Sequence, residues 1–166
     1  MTYYAGLDLH RSMSVIVVKD QAGQLIREGR VPNEPTALQA FFHDQPPLTI
    51  ALEATSNYTW MYDTLEALGH TVQLAHPLKV RAIASARIKT DRIDAGILCD
   101  LLRSNLLPTS YVPLPPIRAL RELLRHRIRL VHDRTRVKNR LSVLLAKTNQ
   151  TVPGTDPFGV KGRALL

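Results

Sequence analysis

The chain has one cysteine, Cys99. An internal disulfide framework is therefore excluded, and thiolates alone cannot build a zinc site here. No apolar run approaches the ~20 residues that span a bilayer. The opening MTYYAGLDLH lacks the basic start and apolar centre of a signal peptide. These absences predict a cytoplasmic protein with no membrane partner, its cysteine packed in a helix. Acids are the other shortage: 22 Lys and Arg stand against 14 Asp and Glu, a net charge of +8 in 166 residues. A pI of about 10.1 points to a polyanionic partner such as nucleic acid.

The excess charge is local. Arg118, Arg121, Arg125, Arg127, Arg129, Arg134, Arg136, Arg140, Lys138 and Lys147 face only Glu122 and Asp133, which accounts for the full +8. The rest of the chain holds twelve basic and twelve acidic residues and is neutral. A near-neutral body thus precedes a strongly basic arm.

The body opens with strand patterns: YYAGLDLH, MSVIVVKD and LIREGRV, joined by short turns with Asp20 before QAGQ. EPTALQAFFHDQ reads as a helix with Pro35 in its first turn, and PPLTIALEAT as a buried strand. NYTWMYDTLEALGH is a helix with Asn57 as cap and Gly69 as stop, and TVQLAH a short strand. LKVRAIASARIK fits a helix or a basic loop. DRIDAGILCDLLRSNLL is a helix with an apolar stripe of Ile93, Ile97, Leu98, Leu101 and Leu102. Four prolines in PTSYVPLPP then break it. From Ile117 to Lys147 the pattern is helical, with Leu123, Leu130, Val137 and Leu144 seven apart.

The order β-β-β-α-β-α-β-α is that of an α/β, ribonuclease H-like domain, a mixed sheet with helices on both faces. The expected organisation is a catalytic body over 1–107, a Pro-rich linker over 108–116, a basic helical arm over 117–148 and a connector over 149–166.

Four acids occupy compatible positions in that order. Asp8 ends the first strand and Glu53 the fourth, and these strands are neighbours in a ribonuclease H-like sheet. Asp91 and Asp94 begin the helix that crosses the same edge, three apart and so on one helix face. Thr90 or Asp91 also fits a plain helix cap. A carboxylate within an apolar strand is costly unless paired or metal-bound. Phosphodiester chemistry uses such a set: two hard cations about 4 Å apart, held by carboxylates, neutralise the attacking and leaving oxygens. Mg²⁺, or Mn²⁺, takes oxygen ligands without help from His or Cys. Lys89 and Arg92 flank the acids and suit phosphate.

GLDLH, LEATSNY and KTDRIDA together resemble the DEDD transposases of insertion sequences, relatives of the Piv-type DNA invertases with a RuvC-like N-terminal domain. The resemblance runs from about residue 3 to 147. It implies that Asp8, Glu53, Asp91 and Asp94 are a catalytic, metal-binding tetrad. It also implies DNA as substrate, a structured guide RNA, pairing through the helical arm into a dimer or higher oligomer, and work at a prokaryotic nucleoid. A further domain carrying an attacking serine belongs to that pattern. Ser56 and Ser104 match no part of that serine motif, so no nucleophile is assigned and this chain alone is expected to be unable to complete recombination.

Other residues read more plainly. His10 is set aside as a ligand, Asp100 is expected to be solvated, and Tyr58, Trp60 and Tyr62 to pack, Tyr58 being the best candidate to touch substrate. In the arm, arginines so short of acids repel one another unless phosphates intervene, so Arg125, Arg129, Arg136, Lys138 and Arg140 are candidate nucleic-acid contacts. Two other readings remain: a stand-alone RuvC-like nuclease for branched DNA, and a non-catalytic nucleic-acid-binding dimerisation module. An actin-like ATPase is disfavoured because LDLHRSMS supplies no phosphate-loop glycine.

Overall fold

The computed structural model describes residues 2–55, 57–84, 90–152 and 156–164. Lys89 and Ser56 lie outside the described residues. The chain divides into two compact units, Met1–Val112 and Pro113–Leu166.

The first unit is built on five strands, β1 (Tyr3–Leu9), β2 (Met13–Asp20), β3 (Leu25–Pro32), β4 (Thr49–Glu53) and β5 (Thr71–Ala75). Their order across the sheet is β3-β2-β1-β4-β5. Strands β1 to β3 form an antiparallel meander, while β4 and β5 run parallel to β1. Parallel neighbours need crossovers, and α1 (Pro35–Phe42) and α2 (Tyr58–Ala67) precede β4 and β5. This is the mixed, ribonuclease H-like sheet expected from the sequence. Further along lie α3 (Pro77–Ile83) and α4 (Asp91–Arg103), so LKVRAIASARIK begins as a helix.

Side chains alternate across a strand, and here the alternation sorts the core. Ala5, Leu7, Ile16, Val18, Ile50 and Leu52 pack with Leu38 and Phe42 of α1 and Met61 and Leu65 of α2. On the opposite face, Val15 and Val17 meet Ala95, and Ala51 and Ala75 meet Leu98 and Leu102 of α4. Residues 6, 8, 51 and 53 share the α4 side.

Helix α4 lies on the sheet by its backbone. A Cβ on Gly6 would come within 1.9 Å of the Ala95 carbonyl oxygen and 2.6 Å of the Cys99 nitrogen. The buried face is consequently Ala95, Leu98, Cys99, Leu101 and Leu102, and Ile93, expected in the stripe, is 37% exposed. Small residues face the sheet because only they allow this approach. Cys99 is buried, its thiol donating to the Tyr4 carbonyl at 3.3 Å. Asp100, expected to be solvated, pairs with Lys19 of β2 at 2.6 Å, because α4 crosses β2 as well as β1.

Local signals behave as their chemistry requires. Thr90 caps α4, its hydroxyl oxygen accepting from the Ile93 N–H at 3.2 Å. Gly69 follows α2 at φ +88°, and Asp20 accepts from the Gln24 N–H in the β2–β3 turn at 2.8 Å. Asn57 stands at the N-cap of α2, but its side chain accepts from the Thr55 hydroxyl rather than from backbone. Tyr58 and Tyr62 pack on the larger core, whereas Trp60, expected to pack, is exposed because the buried face of α2 is Met61 and Leu65.

In the second unit, α5 (Pro115–Lys147) is a single helix followed by α6 (Val160–Arg163). It begins two residues before Ile117, since prolines in a first helical turn remove no hydrogen bond that would otherwise form. None of its residues is buried. No helix among the described residues is long and apolar enough to cross a membrane.

Candidate metal centre

Strand β1 sets the position of the site. Asp8 is paired across β2 with Val15, and the parallel register of Leu7 with Leu52 brings the next residues, Asp8 and Glu53, side by side. Both point to the α4 side, as residues two beyond Gly6 and Ala51 must. The α4 N-terminus covers this edge with Asp91 and Asp94 in its first turn. The positive end of the helix dipole favours carboxylates there, so the cap and the acid pair coexist.

The electrostatics bind the set together. Asp8 is 8% exposed, and its carboxyl is held above the usual range. Burial is the main cause and the nearby His10 acts against it, while the charges of Asp91, Asp94 and Glu53 each push further upward. A buried carboxylate with three acidic neighbours acting against its charge sits where positive charge is short.

His10, set aside from sequence, stands among them. Its Nε2 lies 3.2 Å from Asp8 Oδ2 and 3.3 Å from Asp91 Oδ2. Asp8, His10 and Asp91 each offer a ligand atom, all within 4.8 Å of one another. Such a donor set of two carboxylate oxygens and an imidazole nitrogen fits a divalent cation; Glu53 and Asp94 stand outside this three-residue group, although their charges act on Asp8. The sequence signal for His10 was the alternation itself, since residues 6, 8 and 10 follow one another on one side of GLDLH.

Strand β3 supplies charges that sequence reading missed. Arg30 Nη2 is 3.7 Å from Asp91 Oδ2, and Arg92, expected to meet phosphate, is held by Glu28 at 2.6 Å. Their common origin is register: Val15 and Val17, which face α4, pair with Arg30 and Glu28.

In α5, Glu122 takes Arg125 at 2.8 Å and Arg129 at 3.7 Å, and Asp133 takes Arg136 at 2.8 Å. Lys138 lies 5.0 Å over the Phe158 ring. Arg140 has no acid partner among the described residues. Leu123 and Leu144, from the seven-residue repeat, are 66% and 59% exposed.

Comparison with known proteins adds the lineage. The chain is 26% identical over 151 residues to the transposase for insertion sequence element IS1328 of Yersinia enterocolitica, covering 89% of this chain and 43% of that protein. It is 28% identical over 144 residues to a probable family 20 transposase of Pseudomonas aeruginosa, covering 86% and 41%. The chain thus spans less than half the length of these curated relatives. Its structure is similar to T. thermophilus RuvC in complex with Holliday junction substrate, at a TM-score of 0.49 and 12% identity over 66% of this chain and 100% of that one. The model of the IS110-type DEDD transposase family, described as "Transposase", matches residues 5–150. The chain belongs to that family.

Proposed function

We propose that this chain supplies the carboxylate metal centre of a DNA transposase or recombinase, with Asp8, Glu53, Asp91 and Asp94 as ligands. The observation that carries the reading is the convergence of Asp8, from the first strand, with Asp91, more than eighty residues later, on the same imidazole nitrogen. Bound there, Mg²⁺ or Mn²⁺ would neutralise charge developing on phosphodiester oxygens during strand cleavage and transfer.

The chain's own residues do the rest. Gly6 and Ala95 seat α4 so that its acids meet β1. Arg30 lies beside Asp91, where a phosphate oxygen approaching the centre would find a guanidinium. Arg92, after release from Glu28, would add a second guanidinium, and Lys89 is a further phosphate contact proposed from its place in KTDRIDA. The arm supplies long-range attraction through Arg125, Arg129, Arg136, Lys138 and Arg140. Its exposed leucines pair with a second copy of the chain, leaving the arginines for DNA and for a structured RNA of the element. The serine chemistry of a complete transposition is outside what these residues supply.

Calorimetric titration with Mg²⁺, on the chain and on Asp91→Asn, tests the reading. Binding that is lost in the variant supports it. Equal affinity in both would leave the acids structural and favour a non-catalytic nucleic-acid-binding module. Mg²⁺-dependent nicking of branched DNA by the chain alone would favour a self-sufficient nuclease.

A further inference from the structure

A four-carboxylate centre leaves the imidazole of His10 without a role, although it is the group on which two of the acids converge. We propose that His10 coordinates, through Nε2, the divalent cation shared by Asp8 and Asp91, which makes that position a mixed nitrogen–oxygen site. This rests on the metal-centre reading above and specifies one of its ligands.

The spacing is that of ligands on one ion. Adjacent donors of an octahedral cation with bonds of about 2.1 Å stand about 3 Å apart. Nε2 lies 3.2 Å from one carboxylate oxygen and 3.3 Å from the other. All three donors lie within 4.8 Å of one another, so an ion placed among them would draw the two carboxylates in to a common centre.

The residue is also held in place from behind. The His10 N–H donates to the Met13 carbonyl at 3.1 Å, and the His10 carbonyl accepts from Asn33 Nδ2 at 2.9 Å. Asn33 is fixed in turn, its Oδ1 accepting from the Ser14 hydroxyl at 2.6 Å, and Ser14 is fully buried. A turn that merely exposed a histidine to solvent would not require this support, whereas a ligand gains from a backbone set before the ion arrives.

A nitrogen donor has a consequence for metal choice. Imidazole binds Mn²⁺ and other transition ions more readily than it binds Mg²⁺, which prefers oxygen and keeps its waters. The site accordingly favours Mn²⁺ over Mg²⁺ more strongly than four carboxylates would. The competing account of the same geometry is a simple ion pair, in which His10 bridges two carboxylates and moves away when a cation enters.

Pulsed electron paramagnetic resonance of Mn²⁺ bound to the 166-residue chain separates the two. Modulation from a directly bound ¹⁴N is expected in the unaltered protein and is expected to vanish in His10→Gln. The same variant should lose Mn²⁺ affinity at least about tenfold and Mg²⁺ affinity by less, with its circular dichroism unchanged. Bound Mn²⁺ without nitrogen modulation, or modulation that survives in His10→Gln, overturns the assignment of His10 and leaves the carboxylate centre standing. Failure of Mn²⁺ to bind at all overturns both.

Discussion

Gly6 of β1 lies so near Ala95 of α4 that a Cβ added to it would stand 1.9 Å from the Ala95 carbonyl oxygen. Because Asp8 is two residues beyond Gly6 and Asp91 one turn before Ala95, this contact sets the distance between strand acid and helix acids. Packing at one atom-sized gap therefore decides whether Asp8 and Asp91 can meet.

Gly6→Ala should lift α4 from β1, with a loss of roughly 1–3 kcal/mol or more for overpacking, together with weakened Mg²⁺ binding. Gly96 is the control. Nothing lies within 4 Å of a Cβ placed there, so Gly96→Ala should gain up to about 1 kcal/mol from helix propensity. Urea midpoints of the two variants check both signs.

His70 predicts a pH dependence. Its Nδ1 accepts the buried Leu48 N–H at 3.2 Å, and its ring lies 4.6 Å from that of Phe42. Burial lowers its pKa below the usual 6.5, so the neutral form belongs to the fold. The unfolded chain takes up the proton first, and the stability present above pH 6.5 is lost as pH falls toward the lower native value. Urea midpoints between pH 7.5 and 5.5 should show less of this decline in His70→Gln than in the unaltered chain, after allowance for the variant's lower starting stability.

Cys99 should be inert in the folded protein. Burial is the main cause that pushes its thiol up to about 11, leaving little thiolate at pH 8. A thiol-disulfide reagent should label it only as fast as the chain unfolds. Rapid stoichiometric labelling without denaturant would contradict its place on the buried, sheet-facing side of α4.

The arm predicts a salt law. If Arg140 contacts a phosphate of duplex DNA, Arg140→Gln should lower the slope of log affinity against log salt by about 0.9. Arg125→Gln should do less, because Glu122 already neutralises part of that charge. Fluorescence anisotropy with a labelled duplex at several salt concentrations measures both.

Much of this was legible in the chain. Period-two runs marked β1 and β2, Gly69 and Thr90 marked helix boundaries, and the acids of GLDLH, ALEAT and KTDRIDA stood out because each sat where a carboxylate is expensive. What escaped were relationships that depend on register. Arg30 and Glu28 became neighbours of α4 only through pairing with Val15 and Val17. Ile93 looked like core because its spacing was right, but the backbone contact at Gly6 turned the helix toward Ala95 and Cys99. His10 was discounted for lying past a strand end, although the alternation carried it onto the side of Asp8.

The most direct measurement is the thermal unfolding of the chain and of Asp8→Asn, each with and without Mg²⁺. In metal-free buffer the variant should be the more stable, because it removes a buried charge that its neighbours disfavour. Added Mg²⁺ should raise the midpoint of the unaltered chain and leave that of Asp8→Asn nearly fixed. Equal Mg²⁺ responses in the two proteins would contradict a shared cation pocket.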